Sequence, residues 1–291
     1  MGEYINMERN IFDYTKLSEL TKRRIRRFST TKKEDAPDSL LLILLGNMNE
    51  RLNTMFYLMN NNIYDGVYPL QRTFFEMFIA YQSMLNFDEK EKFILFYVVK
   101  ERYETSFKWS KLISADNSFS NLLESWEKDI VERERDDQKN NLKNIKQQSK
   151  MNNSKLWFEL ASGKSFKDLS DEFSINEDYY FCYDEPSNWV HSQRVDKNID
   201  EFSFNGKISS EYNLYIYIGL LRSVYMMYNS VCDFAEYKGV IRSGLLSKYY
   251  DKFSVFENQL LSFIKPQFSD IELTNEEKIK LRKLLENGNA L

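Results

Sequence analysis

The chain has 291 residues, with 40 basic and 44 acidic side chains and a formal net charge of −4. Nine Gly and four Pro are too few for the closely spaced turns of a β-sandwich or barrel, so the composition favours long helices. One His and two Cys nearly exclude a zinc site of those residue types, and Cys182 and Cys232 are too few for a disulfide framework. A reducing cytoplasm is the expected compartment. The first residues carry no basic stretch followed by an apolar one, as a signal peptide would. The longest apolar run, Leu40 to Leu45, is far short of the roughly 20 residues a membrane span needs, so no membrane is expected as a partner. No cofactor is expected either: phosphate-cradling glycine loops and His-Glu-x-x-His are missing from the sequence.

The expected fold class is all-α, a multi-helix bundle of about eight to ten helices. The first helix is predicted over about 7–28, with Ile11, Tyr14, Leu17, Leu20 and Ile25 roughly a turn apart. It ends in a cationic run, Lys22, Arg23, Arg24, Ile25, Arg26 and Arg27. Such a run suits a phosphate backbone, or an ordinary solvated helix end whose cations complement the dipole. After a polar linker, Ser39 is the predicted N-cap of a helix over 39–60. Its wide stripe of Leu40, Leu41, Leu44, Met48, Leu52, Met55, Phe56 and Met59 marks it as central to the core.

Pro69 fits the first turn of a helix over 68–86. Leu70, Phe74, Met77, Phe78, Tyr81 and Leu85 cover one side of it. Arg72, Glu76, Ile79 and Ser83 form a seam on the other, and Arg72 and Glu76 are spaced to pair. A helix this apolar is expected to bury the pair, which would then fix helix register or serve a site. The next helix is predicted from Asp88 to about Ser114, with Phe93, Phe96, Tyr97, Tyr103, Phe107 and Leu112 as its stripe. Residues 118–152 become almost purely polar and read as a solvated helical arm or an exposed loop. Two short helices follow over 156–173, split at Ser162-Gly163, with Ser165 as a cap.

His191, the single histidine, lies between Trp189 and Arg194 and is the side chain best suited to proton transfer near neutral pH. Its ordinary alternative is a hydrogen-bonded histidine at a helix end. Ser187 lies one helical turn before it, but no nucleophile elbow surrounds Ser187, and Pro186 suggests a helix start there. A small hairpin is expected at Asn205-Gly206. Helices are then predicted over 210–237 and 244–264, the latter stopping before Pro266. Thr274 and Glu277 open a short final helix. The organisation expected is one helical domain over 1–265, with the charged arm at 118–152, and a tail over 266–291.

The helix containing YPLQRTFFE resembles an Arg-x-x-x-Glu helix of an uncharacterised bacterial all-helical family catalogued as a domain of unknown function. Trp157, the run Gly163 to Leu169, Tyr179, Tyr183 and Ser187-x-x-x-His191 resemble its second half, so that the likeness spans about residues 40–235. Some members resemble abortive-infection proteins, and the helical architecture is similar in part to the HEPN superfamily. The HEPN ribonuclease motif, Arg-x4–6-His, departs here: no Arg stands at that spacing before His191, and Arg194 follows it.

The resemblance implies an effector of anti-phage defence. A metal-independent ribonuclease would use His191 as general acid or base, with Arg72 and Arg194 stabilising charge and Glu76 orienting Arg72. Ser187, Lys22, Arg23, Arg24, Arg26 and Arg27 would touch RNA. The alternative is a non-catalytic sensor or adaptor for a phage or neighbour-encoded protein, with Arg72, Glu76 and His191 as a structural polar network. A homodimer is a further expectation.

Overall fold

The computed structural model describes residues 14–31, 35–61, 63–64, 66–115, 120–190, 210–240 and 244–267. Among these residues the fold is an all-α multi-helix bundle with no strand. The chain divides into two compact units. The first holds α1 (Tyr14–Thr31), most of α2 (Ala36–Asn60), and α3 (Val67–Asn86) as far as Tyr81. It also holds a helical stretch over 176–190, then α10 (Ser210–Tyr237) and α11 (Gly244–Gln267). The second holds the start of α2 and residues 82–173, with α4 (Lys90–Ala115), α5 (Ser125–Lys146), α6 (Trp157–Ser162) and α7 (Phe166–Phe173).

All eight predicted core residues of α2, from Leu40 to Met59, are buried. The helix begins three residues earlier than expected, because Asp35 rather than Ser39 caps it. The Asp35 carboxylate accepts the Asp38 backbone N–H at 2.9 Å, and Pro37 sits in the first turn where its missing N–H costs nothing. In α1 the buried face is Tyr14, Leu17, Ser18, Thr21, Arg24 and Phe28. Leu20 and Ile25 are only half-buried, so the helix is rotated from the apolar face read in the sequence. Hydroxyls at Ser18 and Thr21 are satisfied within the core: Asn49 donates to Ser18, and Thr21 donates to the Leu17 carbonyl at 2.9 Å.

In the second unit, α4 packs along α5 and against α6. The predicted stripe of α4 holds only at its start. Phe93 and Phe96 are buried, with Trp157 edge-on to Phe93, whereas Phe107 and Leu112 are exposed. The buried positions farther along are Ser106, Ser110 and Ile113, because the facing helix is polar. Ser110 donates to Glu132 at 2.7 Å and accepts from Arg135 at 2.9 Å. The charged segment 118–152 thus contains a helix, α5, held on α4 by hydrogen bonds more than by apolar burial. Gly163, at φ 70°, ends α6 in the left-handed region that favours glycine. Ser165 and Asp168 then exchange backbone and side-chain hydrogen bonds as the cap of α7.

The stretch over 176–190 runs as α8 (Asn176–Tyr179), a π-turn (Tyr180–Asp184) and α9 (Glu185–Val190) without a break. Ser187 is therefore inside a helical run, not at a helix start. Pro186 lacks the N–H that would continue an α ladder. The widened turn just before it, with the Glu185 N–H reaching the Tyr180 carbonyl, accommodates the proline. The last helix, α11, includes Pro266 and ends at Gln267, two residues past the proline boundary read in the sequence, so the proline falls in its final turn. The predicted hairpin at 205–206 and the helix opened by Thr274 lie outside the described residues.

Candidate functional site

Helix α3 and the 176–190 stretch run in opposite directions along one another. Tyr68 stacks on Trp189 at 5.7 Å between ring centroids, Arg72 lies over Tyr183 at 5.3 Å, and Phe75 meets Tyr179 and Tyr183. The spacing on α3 explains the set: residues 68, 72, 75 and 76 share one helix face. Arg72 Nε donates to Glu76 Oε1 at 3.3 Å, as the sequence spacing predicts. The pair is not buried, however, with side-chain exposures of 24% and 29%. The seam sinks only farther along, where Ile79 and Ser83 are fully buried.

The guanidinium, about a quarter exposed, is oriented by a carboxylate and lies on an aromatic ring, which holds its plane fixed. The Tyr183 side chain also hydrogen-bonds Arg72, so the guanidinium is tied to both the carboxylate and the phenol. Burial pushes the Tyr183 phenol above its ordinary pKa, with Arg72 opposing and Glu76 adding to the shift, so the ring stays neutral under the cation. Trp189 Nε1 donates to Glu185 at 3.0 Å, which fixes the last turn before Val190. His191 follows Val190 in sequence, and both His191 and Arg194 lie outside the described residues. Ser187 donates to the Tyr183 carbonyl at 2.5 Å, so its hydroxyl proton is engaged by the main chain.

The basic run on α1 does not act as a block. Arg23, Arg26 and Arg27 are exposed, while Arg24 is buried. Lys22 pairs with Glu50 at 3.0 Å and Glu19 at 3.2 Å, and those bonds raise its pKa. Among the described residues no group of three His, Cys, Asp or Glu side chains is placed to hold a metal ion. No described helix is long and apolar enough to cross a membrane.

Sequence reasoning missed a second polar cluster behind the site. Asp178 accepts from Arg222 of α10, with side-chain exposures of 6% and 13%. Burial alone would lower the Arg222 pKa, but the bond to Asp178 and its charge raise it above the ordinary value. The Cys182 thiol, fully buried, donates to the Gly219 carbonyl at 3.5 Å, and burial pushes its pKa well up. Gln71 Nε2 donates to the Ile216 carbonyl at 3.0 Å beside Gly219. An added Cβ at Gly219 would lie 2.7 Å from Gln71 Nε2 and 3.0 Å from the Phe181 carbonyl oxygen. The π-turn is thus locked to α10 by polar atoms at very close approach.

Fold and site together define an all-helical protein with an arginine–carboxylate–tyrosine cluster at a π-turn. The chain belongs to DUF5677, a family of unknown function, which matches residues 38–206. No curated protein and no solved structure matches the chain. The matched segment contains Arg72, Glu76, Tyr183, Ser187, His191 and Arg194, and it excludes the basic run of α1.

Proposed function

We propose that the protein is an anti-phage effector of the abortive-infection type that cleaves RNA without a metal. The observation that carries this reading is the Arg72 guanidinium. It is about a quarter exposed, oriented by Glu76 and laid on Tyr183, on a helix beside the stretch whose last described residue, Val190, precedes His191 in sequence. In the proposed reaction His191 takes the proton of a ribose 2′-hydroxyl. The 2′-oxygen attacks the adjacent phosphorus, the bond to the 5′-oxygen breaks, and that oxygen receives the proton back from His191. Arg72 offsets the charge that builds on the phosphoryl oxygens. The products would be a 2′,3′-cyclic phosphate and a 5′-hydroxyl end. Arg194 is a second candidate for the same charge, and the cytoplasm is the compartment in which such an effector would act.

The test is inducible expression of wild type and His191→Ala in a bacterial host, alone and during phage infection, with sequencing of RNA ends. New 5′-hydroxyl ends and protection with wild type only support the reading. Protection retained by His191→Ala, without new ends, sinks it.

A second reading, an adaptor for a phage or neighbour-encoded protein or for a second copy of the chain, is supported by α5. There Trp126 and Ile130 are exposed on an otherwise charged helix. Under that reading Trp126→Ser removes protection while His191→Ala keeps it.

A further inference from the structure

Arg24 is the cation on the buried face of α1, between Thr21 and Phe28. It is 7% exposed, and its Nε is sealed from solvent with no hydrogen-bond partner. Among the described residues no carboxylate pairs with it, in contrast to Arg222, which is buried against Asp178. What surrounds it is the junction of α1 with α11. Thr21, one turn before Arg24, shares a hydrogen bond of 3.0 Å with the Tyr249 hydroxyl. Burial pushes the Tyr249 phenol far up, so this neighbour remains a neutral hydroxyl at physiological pH. The Arg24 guanidinium itself is pushed down, first by burial and then by repulsion from Arg27.

Arg24 thus holds a sealed, unbonded Nε beside the like charge of Arg27 and the neutral Tyr249 hydroxyl, with no carboxylate paired to it among the described residues. A buried guanidinium N–H without a partner is unfavourable, and an anion that reached it would relieve that cost. The helix dipole does not relieve it. Arg24 stands seven residues before Thr31, the end of α1, and the dipole effect falls off within the last turn.

We propose that Arg24 and Arg27 form a phosphate-binding site on α1, taking the phosphate group of a nucleotide or of a single-stranded nucleic acid. Phosphate fits better than carboxylate. Its tetrahedral oxygens and higher charge can engage two guanidinia at once, each through its planar fork of N–H donors. Arg23 and Arg26, exposed on the same helix, extend the positive surface along which a phosphodiester chain would run. The site lies outside the segment matched by the family and does not rest on the RNA-cleavage reading.

The test uses the full chain as wild type, Arg24→Met, Arg27→Gln and His191→Ala. Melting is compared in chloride and in inorganic phosphate at matched ionic strength, and then a labelled single-stranded RNA is titrated. Wild type and His191→Ala should both melt higher in phosphate, because a ligand that binds only the folded state stabilises it. Both arginine variants should lose that rise. In chloride, Arg24→Met should melt at or above wild type, since the unpaired buried charge is gone; a merely structural arginine would give the opposite shift.

RNA that binds wild type and binds Arg24→Met about tenfold more weakly, with a salt slope shallower by about 0.7 per lost contact, identifies a nucleic-acid backbone as the source. A phosphate response without RNA binding identifies a free nucleotide or phosphate. The proposal is overturned if phosphate does not raise the wild-type melting temperature, or if Arg27→Gln, whose side chain is exposed, keeps the full response.

Discussion

Two arginine–carboxylate pairs lie in the first unit, and their surroundings give them opposite roles. Arg72 and Glu76 are four residues apart on one helix and keep about a quarter of their side-chain surface in water. Asp178 and Arg222 are 44 residues apart on different elements and are almost entirely enclosed. A partly exposed local pair adds little to stability, because water at its open side screens the attraction. An enclosed pair is costly to break, because either ion left alone has no solvent and no partner. The enclosed pair ties the π-turn to α10, and the outer pair is the one to which the proposed function assigns a ligand.

The sharpest way to break this comparison is to remove one ion of the enclosed pair. Arg222→Met should cost about 3–5 kcal/mol in denaturant unfolding. The double variant Asp178→Leu with Arg222→Met should recover most of that loss, since it leaves no orphan charge. A single variant as stable as wild type would show that the pair does not hold the turn.

Gly219→Ala is expected next in size. At an exposed helical site this change would stabilise by about 1 kcal/mol. Here the added methyl meets Gln71 and the Phe181 carbonyl at very close range, so a loss of about 1–3 kcal/mol is expected. A gain in melting temperature would mean that the π-turn and α10 are looser than described. Arg72→Gln should be the mildest, at under about 1 kcal/mol, because its partner remains solvated.

The two pairs also differ in how they could be read from sequence. Arg72 and Glu76 carry their geometry in their spacing, since residues four apart on a helix must be neighbours. The core stripe of α2 was legible for the same reason. Asp178 and Arg222 carry no such signal, because their meeting depends on how two separate helices pack. The depth of the Arg72 pair was equally hidden: α3 is buried from Val67 onward on its other faces, yet the seam that carries the pair sinks only past Glu76.

The phase of α1 was obscured by its run of basic residues. Counting on from Leu17 in steps of three and four through Thr21 to Phe28 lands on Arg24, which is the signal that could have placed it inside. The half-buried Leu20 and Ile25 drew the predicted face to the wrong side. On α4 the aromatic spacing predicted a longer core stripe, but the partner helix is charged, and serines face it instead.

Under the proposed function the exposed pair acts on a ligand while the enclosed pair holds the fold. The most direct measurement is RNA-end sequencing from cells expressing wild type or Arg72→Gln at matched levels of folded protein, with melting temperatures recorded for both. New 5′-hydroxyl ends are expected with wild type, with their loss in Arg72→Gln and nearly equal melting of the two. Equal cleavage by the variant, or no new ends from wild type, would contradict the proposed function.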